Sequence, residues 1–144
     1  MKKEIDELKS RLRARKLKAT RTRQLIFAEI VATKDIHPNA SEIFRRVKAK
    51  GNQISLATIY RTLRLLVESG LVSQVDLGED HSHYEREGRK TGHGHLICLS
   101  CGTVKEFSDV GIQKTIGKIG KGKGFQLDKF SIQVFGYCHK CKKV

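Results

Sequence analysis

Four cysteines form two clips, Cys98-Leu-Ser-Cys101 and Cys138-His-Lys-Cys141. Two residues between cysteines let both sulfurs of a clip reach one metal at about 2.3 Å, and two such clips complete an all-thiolate tetrahedron with no open position for substrate. The chemistry this points to is one structural zinc ion per chain. A pair of disulfides or a dithiol redox motif are the alternatives, although a dithiol oxidoreductase needs only one such clip, placed near a βαβ unit.

A second set of donors is histidine and carboxylate. His93-Gly-His95 puts two imidazoles on one side of an extended segment just before the first cysteine clip, with His37, Glu85 and Glu106 elsewhere in the chain. Imidazole and carboxylate suit a divalent transition ion, and the same residues also read as ordinary surface groups. His81, His83 and His139 have weaker claims. An enzyme reading arises from His83-Tyr-Glu85 followed by Cys98-x-x-Cys101, which imitates a zinc-deaminase signature. Ile97 stands where that signature has proline, the intervening stretch has no room for a helix, and the second clip would have no task. We therefore expect no catalysed reaction and no small-molecule substrate.

The charge balance speaks for a polyanionic partner. Lys and Arg number 29 against 15 Asp and Glu, a formal net charge of +14 in 144 residues. The first 23 residues hold ten basic side chains, Lys18 and Arg23 among them, against three acidic ones, as expected of a phosphate-contacting arm. A Lys-rich solvated surface is the bland alternative. With 38% hydrophobic residues the chain can bury one or two small cores. No run approaches the roughly 20 apolar residues of a membrane span, and the charged N-terminus leaves no place for a signal peptide, so a cytoplasmic protein without a membrane partner is expected, its thiols reduced.

These residues need elements to position them. Ile5, Leu8 and Leu12 repeat at helical spacing, as do Leu25, Ile26 and Ile30 in a helix from about Thr22 to Ala32. His37-Pro38-Asn39 breaks the chain, then Ala40 to Lys50 offers Ile43, Phe44 and Val47 before Gly51 stops it. The next helix starts after Ser55, puts Leu56, Ile59, Leu63, Leu66 and Val67 on one side and ends at Gly70. Its other side carries Ala57, Thr58, Arg61 and Arg64, with Tyr60 at the margin. Small residues followed one turn later by arginines suit a helix in a major groove, where Arg reads guanine and a Thr methyl touches thymine.

Alternating runs at Leu71–Leu77 and Ser82–Arg86 flank Gly78-Glu79-Asp80 as a hairpin. Helix-turn-helix plus hairpin predicts a winged helix over residues 1–86. Gly88–Gly92 reads as a linker, and residues 87–144 as a small α/β dimerisation domain with strands at His95–Leu99, Val104–Phe107 and Phe125–Gly136. Between them, Ile112, Ile116 and Ile119 mark a helix weakened by Gly111, Gly117 and Gly120, which needs packing against a sheet or a second subunit. The predicted fold class is α+β.

Three stretches, Ile54-Ser-Leu-Ala-Thr-Ile-Tyr-Arg-Thr-Leu63, His93-Gly-His-Leu-Ile-Cys-Leu-Ser-Cys-Gly102 and Gly136-Tyr-Cys-His-Lys-Cys141, resemble the ferric uptake regulator family of bacterial metal-sensing repressors. The resemblance covers nearly the whole chain. It implies a homodimer that binds palindromic double-stranded operator DNA when loaded with metal. It matches the structural zinc ligands to Cys98, Cys101, Cys138 and Cys141, and the regulatory site to His37, Glu85, His93 and His95, with Glu106 as a further carboxylate. It assigns base reading to the helix from Ser55 to Glu68, with Tyr60 and Arg61 as readers, and minor-groove entry to Lys18. A second histidine-rich site of many members is expected to be absent, because Gly92, Gly94, Gln113 and Phe130 stand at its ligand positions.

The resemblance also bears on the regulatory metal. Zinc-sensing relatives often recruit a thiolate, and peroxide-sensing ones usually carry Asp where this chain has Glu85 and Asn where it has Arg61. The expectation is therefore Fe(II), with Mn(II) or Zn(II) able to substitute, and control of iron uptake. A zinc or peroxide sensor of the same family and a constitutive zinc-containing nucleic-acid binder are the alternatives.

Overall fold

The computed structural model describes residues 1–33, 37–88 and 92–142. It divides into two compact units, Met1–Gly88 and Arg89–Val144. Most of the predicted linker, residues 89–91, lies outside the described residues.

The first unit runs α1 (Lys2–Ala14), α2 (Arg21–Ala32), α3 (Ala40–Ala49), α4 (Leu56–Glu68), β1 (Val72–Val75) and β2 (His83–Arg86), with the two strands paired as an antiparallel hairpin. Each helix from α2 to α4 opens on a side-chain cap. Thr20 accepts from Arg23 N at 3.4 Å, Ser55 from Thr58 N at 3.2 Å, and Asn39 forms a reciprocal capping box with Glu42 at 2.9 Å in both directions. Leu8, Leu12, Ile26, Phe27, Ile43, Ile59 and Leu66 are wholly buried and form one core with Leu63 and Leu71.

Two expectations are corrected here. Leu56 was placed on the buried side of its helix, yet it is 38% exposed. It occupies the first turn, one turn before Ile59, where the helix has already run past the edge of the core. The basic N-terminal stretch is also no free arm for its first part: Leu8 and Leu12 dock α1 on the core, and Arg11 and Arg15 are turned to the end of α4, donating to Gly70 O at 3.0 Å and Ser69 Oγ at 3.1 Å. Cations at a helix C-terminus are favourable because the unsatisfied carbonyls carry partial negative charge there.

In the second unit, β3 (His93–Cys98) is the central strand of three, in the order β4-β3-β5. β4 (Val104–Ser108) pairs with it antiparallel and β5 (Ile132–Gly136) parallel, the crossover to β5 passing through α5 (Val110–Gly122). Asp109 caps α5 by accepting from Ile112 N at 2.8 Å. The strand expected from Phe125 begins only at Ile132. The residues before it close the helix instead: Gly124 takes φ +76°, Phe125 N donates to Gly120 O at 2.8 Å, and Leu127 covers Gly120 so closely that a Cβ there would meet its Cγ at 2.6 Å.

Candidate metal centres and nucleic-acid interface

The parallel pairing of β3 with β5 brings the cysteine clips together. It continues one step beyond the strands, with Leu99 N donating to Gly136 O at 2.8 Å, so the chain past Cys98 runs beside the chain entering Cys138. Each clip is a tight turn. Gly102 N donates to Cys98 O at 2.9 Å with Gly102 at φ +69°, and Cys141 N and Lys142 N both donate to Cys138 O, at 2.9 and 2.8 Å. The four sulfurs lie within 4.8 Å of one another, and Cys101 Sγ stands 3.8 Å from Cys138 Sγ. Bonds of about 2.3 Å in a tetrahedron require sulfurs about 3.8 Å apart, whereas a disulfide requires about 2 Å. All four thiols are free.

The electrostatics suit a cation. Backbone N–H groups of Cys138, Cys101 and Ser100 point at Cys98 and hold its thiol down at about 6. At Cys141 the Ser100 hydroxyl pulls downward, but the neighbouring Cys101 and Cys138 sulfurs outweigh it and push the thiol up to about 12. Thiolates crowded this closely cannot all ionise unless a positive ion sits among them, and one that does so converts the whole set.

Each unit carries imidazole and carboxylate donors of its own. In the first, strand β2 clamps the segment that carries His37: Tyr84 N donates to Pro38 O at 3.0 Å, Asn39 bridges to His83, and the His83 ring bonds the His37 carbonyl at 2.6 Å. This sets His37 Nδ1 at 3.7 Å from Glu85 Oε2, both residues buried. In the second, His93 and His95 share one side of β3 with ring centroids 4.9 Å apart, and His95 is the cross-strand partner of Glu106. Burial, reinforced by the neighbouring charge of His93, lowers His95 to about 4, so it is a neutral imidazole able to ligate at neutral pH. Around Gly92 the space is taken by other groups, since a Cβ there would lie 2.7 Å from Phe130 Cζ, and Gln113 Nε2 donates to Gly92 O at 3.2 Å.

On α4 the outward face carries Ala57, Tyr60, Arg61 and Arg64 exposed and Thr58 half-buried. Tyr60, expected at the margin, is 52% exposed and fully part of this face. Arg61 Nη2 donates to Thr58 Oγ1 at 3.3 Å, and Arg64 pairs with Glu68 at 2.9 Å. Such an exposed pair is worth only about 0.3–0.5 kcal/mol, so a stronger acceptor can exchange for it. Lys18 lines a groove of about 420 Å³ with Lys9, Arg13 and Lys16. Arg23 donates its guanidinium to Lys18 O at 2.5 Å, so it shapes the turn that presents Lys18.

Sequence reasoning missed three positioning groups. The Asn39–Glu42 capping box beside His37 was readable from its spacing. Arg86, which donates to Glu7 Oε2 at 2.8 Å and so ties the wing to α1, had no local signal, because its partner is 79 residues away. The same holds for Arg11 and Arg15 on the end of α4.

Residues 14–135 match the ferric uptake regulator family. The chain is 36% identical over 107 residues to the ferric uptake regulation protein of Synechococcus elongatus, covering 74% of this chain and 73% of the relative. It is 31% identical over 143 residues to that of Bacillus subtilis, covering 98% and 96%. Among solved structures, the ferric uptake regulator of Francisella tularensis with iron superposes with a TM-score of 0.76 at 27% identity, over 88% of this chain and 96% of that one. With a winged helix ahead of a small α/β unit, and a match that spans both, this chain belongs to the ferric uptake regulator family of metal-responsive transcription regulators.

Proposed function

We propose that this protein is a homodimeric, metal-dependent repressor that binds palindromic operator DNA and controls iron uptake in response to Fe(II), without catalysing a reaction. The observation that carries this reading is the buried His37–Glu85 pair, clamped by the wing onto the unit that bears the DNA-facing helix. A residue pair so placed can couple an ion to the DNA-binding half. In this proposal His37 and Glu85 share one divalent ion with His93 and His95, and with Glu106 as a further carboxylate. A bound ion supplies a link between ligands from the two units. Those ligands then restrict the positions open to α4 in each protomer, and two recognition helices must match half-sites about one helical turn apart to bind at once. A coupling of about 1–3 kcal/mol, roughly 5- to 150-fold in operator affinity, is typical of such linkage.

Zinc at the four cysteines is the structural metal of this reading. Because that cluster gathers all four thiols, no sulfur is left for the regulatory site, which favours an N/O-ligated ion such as Fe(II) or Mn(II) over a thiolate-assisted zinc sensor. Tyr60 and Arg61 would read base edges, with Ala57, Thr58 and Arg64 beside them, while Lys18 enters the minor groove beside the turn shaped by Arg23.

The test is operator binding by fluorescence anisotropy with and without Mn(II) or anaerobic Fe(II). Glu85→Ala or His93→Ala should abolish the metal-induced gain and leave bound zinc, dimer mass and binding to random DNA unchanged. A metal response that survives in His93→Ala/His95→Ala would place sensing elsewhere. Equal operator affinity with and without metal in the parent protein would make it a constitutive binder.

A further inference from the structure

The wing holds three donors that the proposed function does not use. Glu79 Oε2 lies 2.8 Å from His81 Nε2 and 2.7 Å from His83 Nε2, with the two imidazole centroids 4.9 Å apart. The hairpin turn builds this cluster. Asp76 Oδ1 accepts from Gly78 N at 2.8 Å, and Gly78 at φ +78° reverses the chain so that Glu79 folds back over the start of β2. His81 in the bend before β2 and His83 at its start then turn their rings to the same carboxylate oxygen.

The hydrogen bonding of His83 makes the arrangement informative. Its Nδ1 is 2.6 Å from the carbonyl oxygen of His37, a group that can only accept, so Nδ1 carries the hydrogen. In a neutral ring Nε2 is then a bare lone pair, and it faces a carboxylate oxygen at 2.7 Å. Two acceptors at that separation need a cation between them. A second proton on His83 is one answer. A metal ion is the other, and a ring whose far N–H is anchored on a backbone carbonyl is the usual setting of a metal-ligating histidine.

We propose that Glu79, His81 and His83 form an accessory site for a borderline divalent transition ion such as Zn(II), Co(II) or Ni(II). Two imidazoles and one carboxylate favour such ions over Mg(II) or Ca(II), and an octahedral ion with bonds of about 2.1 Å needs neighbouring ligand atoms about 3 Å apart, near the observed spacings. The side chains of His81 and Glu79 are 47% and 44% exposed, which leaves coordination positions open to water. His81 also lines a groove of about 460 Å³ with Asp80 and Tyr60. Occupancy would therefore offset two acidic charges, Glu79 and Asp80, beside Tyr60. Any gain in DNA affinity from this rests on the reading of Tyr60 as a DNA contact, whereas the binding of metal does not.

The experiment is equilibrium dialysis of the full-length, zinc-containing protein against Ni(II), with bound metal counted per chain. Parent protein should bind one Ni(II) more than His81→Ala or Glu79→Gln. That difference should persist in a Glu85→Ala background, which separates this site from the proposed regulatory one. Because Ni(II) is paramagnetic, it should also broaden the His81 and His83 imidazole resonances in the Glu85→Ala protein, and not in Glu85→Ala/Glu79→Gln. Equal stoichiometry in parent and variants, or wing imidazole signals untouched by Ni(II), would overturn the proposal and leave a proton as the shared cation.

Discussion

The two units of this chain are built by different means. The first has a core of interlocking aliphatic and aromatic side chains, from Leu8 in α1 to Tyr84 in β2. The second buries little apolar surface of its own: among the described residues Ile97 and Cys98 are its buried hydrophobics, while Leu96, Val110, Ile119, Phe125, Val134, Phe135 and Tyr137 are 43–70% exposed. A unit of that size without a core needs another source of stability. The thiol cluster offers a place for a metal ion, and in the proposed homodimer a second copy of the chain would cover the exposed apolar residues of the sheet and α5. One unit is built around its own buried apolar core, while the other, in the function proposed above, takes its stability from zinc and a second copy of the chain.

Removing the clustered thiols should have the largest effect. Cys98→Ser or Cys141→Ser should release zinc, unfold the second unit and abolish dimers, because metal binding is folding energy in such modules, on the order of 10 kcal/mol. Zinc content, near-ultraviolet circular dichroism and light scattering read these effects. Dimers retained by a zinc-free variant with all four cysteines changed to Ser would show that burial suffices there as well.

Truncating the core of the first unit should cost less and in a different place. Phe27 is wholly buried, and Phe27→Ala should destabilise by about 3–5 kcal/mol. Urea unfolding followed by far-ultraviolet circular dichroism measures the loss, while zinc retention should not change. Zinc lost together with the first unit would mean that the two fold as one.

On the surface of the first unit, reading and positioning should separate. Arg61→Ala should weaken operator binding by about 1–3 kcal/mol and relax base preference, while Lys18→Ala should reduce the salt slope by about one. Titrations of operator and random DNA at several salt concentrations decide between the two. If Arg61→Ala weakened both DNAs equally, it would be a phosphate contact.

A pH-dependent test concerns His95, which the second unit buries. His95 is held near 4 when folded against an ordinary value of 6.5, so below 6.5 the unfolded chain binds the proton first. Its contribution to stability is thus fully present above pH 6.5 and falls away between 6.5 and 4. The urea midpoint should drop over that window, and less so in His95→Gln.

Much of the fold was legible because its signals are local. The apolar periodicity of α1 to α4, the cap at Ser55, and Gly78 in the wing turn each act within one or two turns of chain. The stretch from Phe125 to Ser131 misled because its alternation resembles a strand, while Gly124 and the packing of Leu127 on Gly120 commit it to closing α5. Leu56 misled because periodicity does not say where a core ends.

Residue types and local spacing set the chemistry on offer: thiols in pairs at ligand spacing, imidazoles near carboxylates, and a basic surplus suited to a polyanion. Which donors meet was decided by tertiary structure. The parallel pairing of β3 and β5 sets Cys98 beside Cys138, and β2 sets Glu85 and His83 against the segment carrying His37. Glu7 with Arg86, and Arg11 with the end of α4, meet only when α1 docks on the core. Spacing along a chain constrains neighbours a few residues apart, whereas partners 40 or more residues apart are chosen by which surfaces can be buried together.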